Sequence, residues 1–286
     1  RAAAGAKFRW GQHIAALNSV GLYLSRAIVV ILGIAFWLRR LVGLALVAAV
    51  LALVLVPMSG FGSRLGLWSF FSGFMVLGIG VLTAVLGLLA ALISFFRGPA
   101  NPSGSTGTAR LAALVISGIL VAVPLSNSLG AFTGAYAPIH DITTDTDNPP
   151  QFDAVMEARG EGSNSVDYAS KTGRGGEQTY AEIQQDYYPD IGPVTLDAAP
   201  DAAFDQALAA AEAMGWEIVA ADKEAGRIEA TATTFWFGFK DDVVIRVTAE
   251  GGGSRVDVRS TSRVGMGDIG AYANRVRAYT DRLKAG

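Results

Sequence analysis

No aspartate or glutamate occurs before Asp141. The first 140 residues carry nine of the 23 Lys and Arg and none of the 25 acids, so the two parts hold charges of +9 and −11 around a net −2. A chain this lopsided is bipartite, and its boundary falls within residues 138–150, PIHDITTDTDNPP. Half the residues are apolar (51%), and the uncharged runs before the boundary point to membrane spans.

Residues 41–56, LVGLALVAAVLALVLV, hold no charge and are followed by Pro57 and Gly60. As helix they rise about 24 Å, a little short of a ~30 Å hydrocarbon core, so flanking residues complete the crossing. Residues 67–96 would rise about 45 Å, enough to demand tilt. Trp68, Phe70 and Phe71 at one end and Phe95 and Phe96 at the other match interfacial aromatic belts. Residues 111–129 form a third span after the polar loop RGPANPSGSTGTAR. All three read as permanent spans rather than a cleaved leader. Gly73, Gly78, Gly80, Gly87, Ala84, Ala90 and Ala91 allow close helix approach, and no Asp, Glu, Lys or His interrupts the spans. That composition reads as anchor and packing surface rather than ion path.

Arg39, Arg40, Arg97 and Arg110 flank one side of these spans, against Arg64 on the other. The positive-inside rule then places those four arginines in the cytoplasm and the acidic half in the periplasm, across a bacterial inner membrane. Residues 10–38 admit two arrangements. One is an interfacial helix with Arg26 in water; the other is a fourth span packed on partners, at roughly 2.5–3.5 kcal/mol for the charge. The expected organisation is an N-terminal amphipathic or interfacial segment (1–40), transmembrane helices (41–137), a junction and extended linker (138–190) and a periplasmic domain (191–286).

Within that domain, Pro200 and Asp201 suit a helix start and Gly215 its end, with Phe204, Leu208 and Ala211 on one face. Four strand signals follow. WEIVAAD comes first. RIEATATTFWF then alternates Ile228, Ala230, Ala232 and Trp236 on one side, and DVVIRVTA puts Val243, Ile245 and Val247 inward. SRVDVRSTSR adds Val256 and Val258 inward, with Arg255, Asp257 and Arg259 outward. Lys240, Asp241 and Asp242 read as a solvated turn. A last helix over 268–284 carries Ile269, Tyr272, Val276, Tyr279 and Leu283 on a stripe. Short connections imply hairpins, so the expected fold is α+β: a two-layer sandwich of a four-stranded antiparallel sheet and two helices, attached to an α-helical membrane part.

PIHDITTDTDNPP, YPDI (188–191), GWEIVAAD, RIEATATTFWFGFKDDVVIRV and SRVDVRSTSRVGMGDIGAYANRVRAY, in this order, resemble the bacterial family called domain of unknown function 1499. The likeness spans roughly residues 138–286, and the preceding spans look like those of its membrane-bound members. It implies a domain and no activity. Residues 155–180 depart from it, being longer and richer in glycine.

The chain has no cysteine, which removes disulfides, thiolate zinc sites and cysteine nucleophiles. Its two histidines, His13 and His140, form no serine–histidine pairing, and no nucleophile elbow, Walker or dinucleotide motif appears. Asp145 and Asp147 resemble the start of a calcium loop, but no turn glycine follows, and Pro149 and Pro150 occupy the place of later ligands. No catalytic, cofactor or metal residue is therefore assigned. Three sets remain as contacts for a partner or ligand. His140 and Asp141 stand at the junction. Phe235, Phe237 and Phe239 lie on the aromatic strand, the first two opposite Trp236 and so outward. Arg255, Arg259 and Arg263 share one strand face; they either receive an anion or are neutralised by Asp257, Glu229 and other acids. The expected role is a non-catalytic accessory or structural subunit of an inner-membrane assembly, touching membrane lipid and other integral membrane proteins. A lipid or small-ligand binding module is the alternative. Nucleic acid is disfavoured by the −11 charge of this half.

Overall fold

The computed structural model describes the backbone of residues 2–98, 104–173, 175–265, 267 and 270–286, and side chains from Arg26 on except at a few positions in the first and third helices. Asp268 and Ile269 of the expected last helix, and the side chains of residues 2–25, lie outside the described residues. The chain forms two compact units. One joins most of the first helix with Phe74–Val123; the other joins Ser59–Gly73 with Pro124–Gly286.

The helical unit is built from α1 (Ala2–Arg64), α2 (Phe70–Arg97) and α3 (Ser105–Phe132). By length and composition, three segments are able to cross a membrane: Ile28–Arg64, Phe70–Arg97 and Ser105–Ser126. The first differs from expectation at both ends. The helix continues from residue 38 through the double arginine, and Pro57 lies inside it. An interior proline costs about 3 kcal/mol. Small residues fill the seam: Ala45, Ala49, Ala91 and Ala113 are buried together. A Cβ on Gly87 would meet Ser117 Oγ at 3.0 Å and Ala48 Cβ at 3.2 Å. Leu44, Leu82 and Val115 point outward and are exposed, the inside-out arrangement of helices that associate by close backbone approach.

The second unit contains an antiparallel sheet of six strands rather than four, in the order β1-β6-β5-β4-β3, with β2 also on β6. The strands are β1 (Asp141–Thr143), β2 (Val194–Leu196), β3 (Glu217–Asp222), β4 (Arg227–Thr233), β5 (Lys240–Glu250) and β6 (Gly253–Ser262). The two unexpected strands have three residues each, too few for alternation to register. Both lie along the outer edge of β6, β1 against 259–261 and β2 against 254–256. Gly251 and Gly252 turn the β5–β6 hairpin at positive φ (58° and 91°), a conformation open to glycine.

The core lies on one face. Ile228 and Ala230 of β4, Val243, Ile245 and Val247 of β5, and Val256 and Val258 of β6 are buried there with Ile142 of β1. Two helices cover them, α5 (Pro200–Ala213) and α6 (Ala271–Ala285). Trp216 stacks on Tyr279 at 5.2 Å, and the Tyr279 hydroxyl donates to Ala207 O at 3.0 Å, tying α6 to α5. Residues 138–190, read above as junction and linker, contain β1, a 3-10 turn at Ala154–Ala158 and α4 (Tyr180–Tyr187). Residues 144–171 of this stretch cover the second face, making a third layer in place of the two expected.

Two local readings are corrected. The aromatic stretch is not strand: β4 ends at Thr233, and residues 234–239 form a closed loop before β5. Thr234 N donates to Phe239 O at 2.8 Å, Phe239 N donates to Thr234 Oγ1 at 2.8 Å, and Gly238 takes a φ of 72°. Alternation therefore does not set which way Phe235, Trp236 and Phe237 point. Asp241 and Asp242, read as a solvated turn, are buried within β5.

Candidate functional site: a buried charged layer and an aromatic loop

The strands that send valine and isoleucine to the helices send charge the other way, because neighbours alternate. Glu229, Asp242, Asp257, Arg259 and Asp141 share this second face, and each is fully buried. Arg259 is the centre. Its Nε and Nη2 reach the two Asp141 oxygens at 2.9 and 2.8 Å, Nη1 donates to Pro150 O at 3.0 Å, and Nη2 also donates to Val166 O. The Phe152 and Tyr168 rings stand 5.0 and 5.4 Å from the guanidinium carbon. Lys171 Nζ meets Asp141 at 2.6 Å.

Around this centre the same pattern repeats. Asp242 takes Arg263 at 2.7 Å, Arg159, and the Thr231 hydroxyl at 3.1 Å. Glu229 accepts from the backbone N–H of Asp153 and Val155 at 3.0 Å and pairs with Arg227 at 3.1 Å. Asp257 takes Arg246 at 2.9 Å and Arg255 at 3.0 Å, and both arginines also reach Asp145. Some of these contacts stay within the strands and their ends, but Arg159 to Asp242, the Asp153 and Val155 N–H groups to Glu229, Lys171 to Asp141, and Asp145 to Arg246 and Arg255 each cross from residues 144–171 to the sheet. The charged layer is thus what holds an irregular segment onto a sheet.

Its electrostatics follow. Burial alone would push the Asp141 carboxyl up, but the bonds from Arg259 and Lys171 outweigh it and hold the group below the usual carboxylate range. Burial pulls Lys171 down, partly opposed by Asp141. His140, just before β1, is lowered to about 4, first by burial and then by the Lys171 charge. Its ring meets Tyr180 edge-on at 5.4 Å, and its Nδ1 has no hydrogen-bond partner among the described residues. Burial and the Asp141 charge push the Tyr168 hydroxyl up. An acid–base catalyst needs a group that titrates near working pH and faces substrate. Asp141 is instead kept ionised inside a fork of cations, suited to fastening rather than proton transfer. Among the described residues, no three His, Cys, Asp or Glu side chains are grouped to hold a metal.

Asp141, Arg255, Arg259 and Arg263 come together on this face, with His140 beside them. The phenylalanines do not join them. Phe237 is buried, Phe239 is half-buried and stacks on it at 5.4 Å, and Phe235 is 77% exposed with its ring edge-on to Phe61 at 5.5 Å. Phe239 also meets Phe70 at 5.9 Å. Arg64 Nη1 donates to the carbonyls of Thr234 and Phe235 at 2.8 and 2.9 Å. The loop therefore packs on Ser59–Gly73, which folds as part of the same compact unit.

Sequence reasoning missed Lys171, Arg159, Asp242 and Tyr168 as members of the charged layer. One signal was legible: Thr179 and Glu182 form a capping box that starts α4, a T-x-x-E pattern. From α4, Gln184 pairs its side-chain amide with both backbone groups of Thr143, at 2.9 and 2.6 Å, and so extends β1 like another strand.

With this geometry in place, comparisons with known proteins are informative at one level only. The family described as "Protein of unknown function (DUF1499)" matches residues 141–283, half of the chain. No curated protein sequence matches the chain. Among solved structures, TTHA0849 from Thermus thermophilus is 13% identical, with 33% of this chain and 95% of that one covered and a TM-score of 0.21. Ara h 8.0201 is 12% identical, with 33% and 95% covered and a TM-score of 0.19. At these scores neither likeness bears on fold or function.

Proposed function

The chain belongs to the DUF1499 family, and from that premise we propose that it is a non-catalytic accessory or structural subunit of a bacterial inner-membrane assembly. Its helices anchor and pack in the bilayer, and its acidic domain docks on partner proteins in the periplasm. The observation that carries this reading is the charged layer. Arg255, Arg259 and Arg263 are each engaged by an internal carboxylate, so the groups best suited to chemistry or to an anionic substrate are consumed in holding residues 144–171. What the molecule offers to others is then its outer surface. Purification of the full chain in mild detergent tests this: stoichiometric copurifying membrane proteins are expected, and a chain that purifies alone overturns it. Topology is tested separately. A reporter after Gly286 should read periplasm and one inserted between Gly104 and Ser105 cytoplasm; the reverse pattern sinks the orientation.

The alternative, a membrane-anchored module for a lipid or small ligand, is favoured by a different observation. A shallow groove of about 380 Å³ lies beside the aromatic loop, within the size range of small-molecule sites.

A further inference from the structure

We infer that this groove seats the headgroup of an anionic phospholipid of the surrounding bilayer. The inference deepens the alternative reading and rests on the helices being membrane spans. Trp68, in the turn between α1 and α2, and Phe70, the first residue of α2, form one wall; Phe237 and Phe239 of the loop and Lys240 at the start of β5 form another. The position along the chain sets the depth. Ser63, at the groove, is one residue from the end of the apolar segment Ile28–Arg64, and Phe70 opens Phe70–Arg97. If those segments cross a bilayer, the groove lies where hydrocarbon gives way to headgroups, and its aromatic lining is the composition enriched at that level.

Charge selects the headgroup. Lys240 is about half exposed, and the carboxylate of Glu217, itself largely exposed, stands 4.0 Å away, too far for a tight pair. The two groups that Arg64 donates to are carbonyl oxygens, which position the guanidinium without neutralising it. Arg263 also lines the groove but is committed to Asp242 and to Ala158 O. Lys240 is thus the lining cation with no carboxylate at bonding distance, and Arg64 lies behind the lining at Gly238, a match for phosphate oxygens with a glycerol or acyl end beneath them. Phe235 argues for a lipid over a soluble anion. It leaves 77% of its surface uncovered on the same loop, and apolar contact beside the headgroup would bury it.

The test uses the full chain in detergent, with native mass spectrometry reading retained lipid after addition of phosphatidylglycerol or phosphatidylcholine of matched chains. Phosphatidylglycerol should be retained in preference. Lys240→Gln should lower that retention about fivefold, the scale of one basic residue at an anionic surface, and Lys240→Arg should restore it. Lys240→Gln touches an exposed side chain, so its unfolding midpoint should match the parent and separate lost binding from lost fold. Equal retention of the two lipids, or no effect of Lys240→Gln, overturns the inference. So does inorganic phosphate stabilising the chain as well as phosphatidylglycerol does, since that marks a soluble-anion site. An alkaline carbonate wash distinguishes the deeper failure. Release of the chain from membranes overturns the span reading itself, whereas retention with no lipid preference overturns the groove alone.

Discussion

The two faces of one sheet are held by opposite chemistry. Toward α5 and α6, Ile228, Val243, Ile245, Val256 and Val258 form an apolar core. Toward residues 144–171, the same strands present Glu229, Asp242, Asp257 and Arg259, equally buried. A regular helix can cover a sheet with side chains alone, because its backbone bonds are internal. An irregular segment carries unpaired carbonyls and N–H groups and needs donors and acceptors beneath it. Arg259 bonds Pro150 O and Val166 O, and Glu229 receives Asp153 N and Val155 N. Buried charge is the complement of an irregular cover, as buried valine is the complement of a helix.

The comparison breaks most visibly on the apolar face. Val256→Asp places an unpaired charge at 1% exposure under the helices, and the domain should lose about 3–5 kcal/mol and fail to fold. A variant that melts with the parent would refute the register. On the charged face, Arg259→Met should cost roughly 3 kcal/mol, because it leaves Asp141 with Lys171 alone and two carbonyls without donors. The sharper result is protease sensitivity, where residues 144–171 should become cleavable before the sheet unfolds. If the sheet and this segment are lost together, the layer is not a separable latch.

Smaller in effect is Phe237→Ala, which should lower stability by about 2–3 kcal/mol, while Phe235→Ala, at the exposed tip, should change it by less than about 0.5 kcal/mol. Equal melting shifts would show that the loop packs otherwise. Smaller than the Phe237 effect is the expected change with pH. His140 titrates at about 4 in the folded chain against an ordinary 6.5, so between those values the unfolded chain binds more protons. Its contribution is complete above pH about 6.5 and is lost as pH falls toward 4, amounting to about 1–2 kcal/mol after allowance for solvent screening. The Asp141 contribution has the same sign, present above the unfolded carboxylate pKa and lost as pH falls through the lower folded one. His140→Gln should flatten the slope between pH 6.5 and 4 while leaving the steeper acid limb. Denaturant midpoints measured across that range decide it; an unchanged slope removes His140 from the account.

By itself the sequence determined what depends on neighbours along the chain. The bipartite charge, the apolar helices, α5 between Pro200 and Gly215, and the inward sets of β4, β5 and β6 all follow from periodicity and end signals. Tertiary structure decided what depends on a distant partner. Arg259 and Glu229 alternate with valine and alanine whether they meet water or Asp141 and Asp153, and alternation says only which face they take. β1 has three residues and exists because β6 offers an edge and Gln184 closes the other side. Phe235–Phe237 have strong strand propensity, yet the chain turns there because Thr234 and Phe239 bond across the loop and Ser59–Gly73 supplies aromatic contacts. Pro57 marks a helix end by local preference, yet the helix runs through it to Arg64. Apart from Pro57, the local preference is worth a kcal/mol or so in each case, and a contact made far along the chain outweighs it.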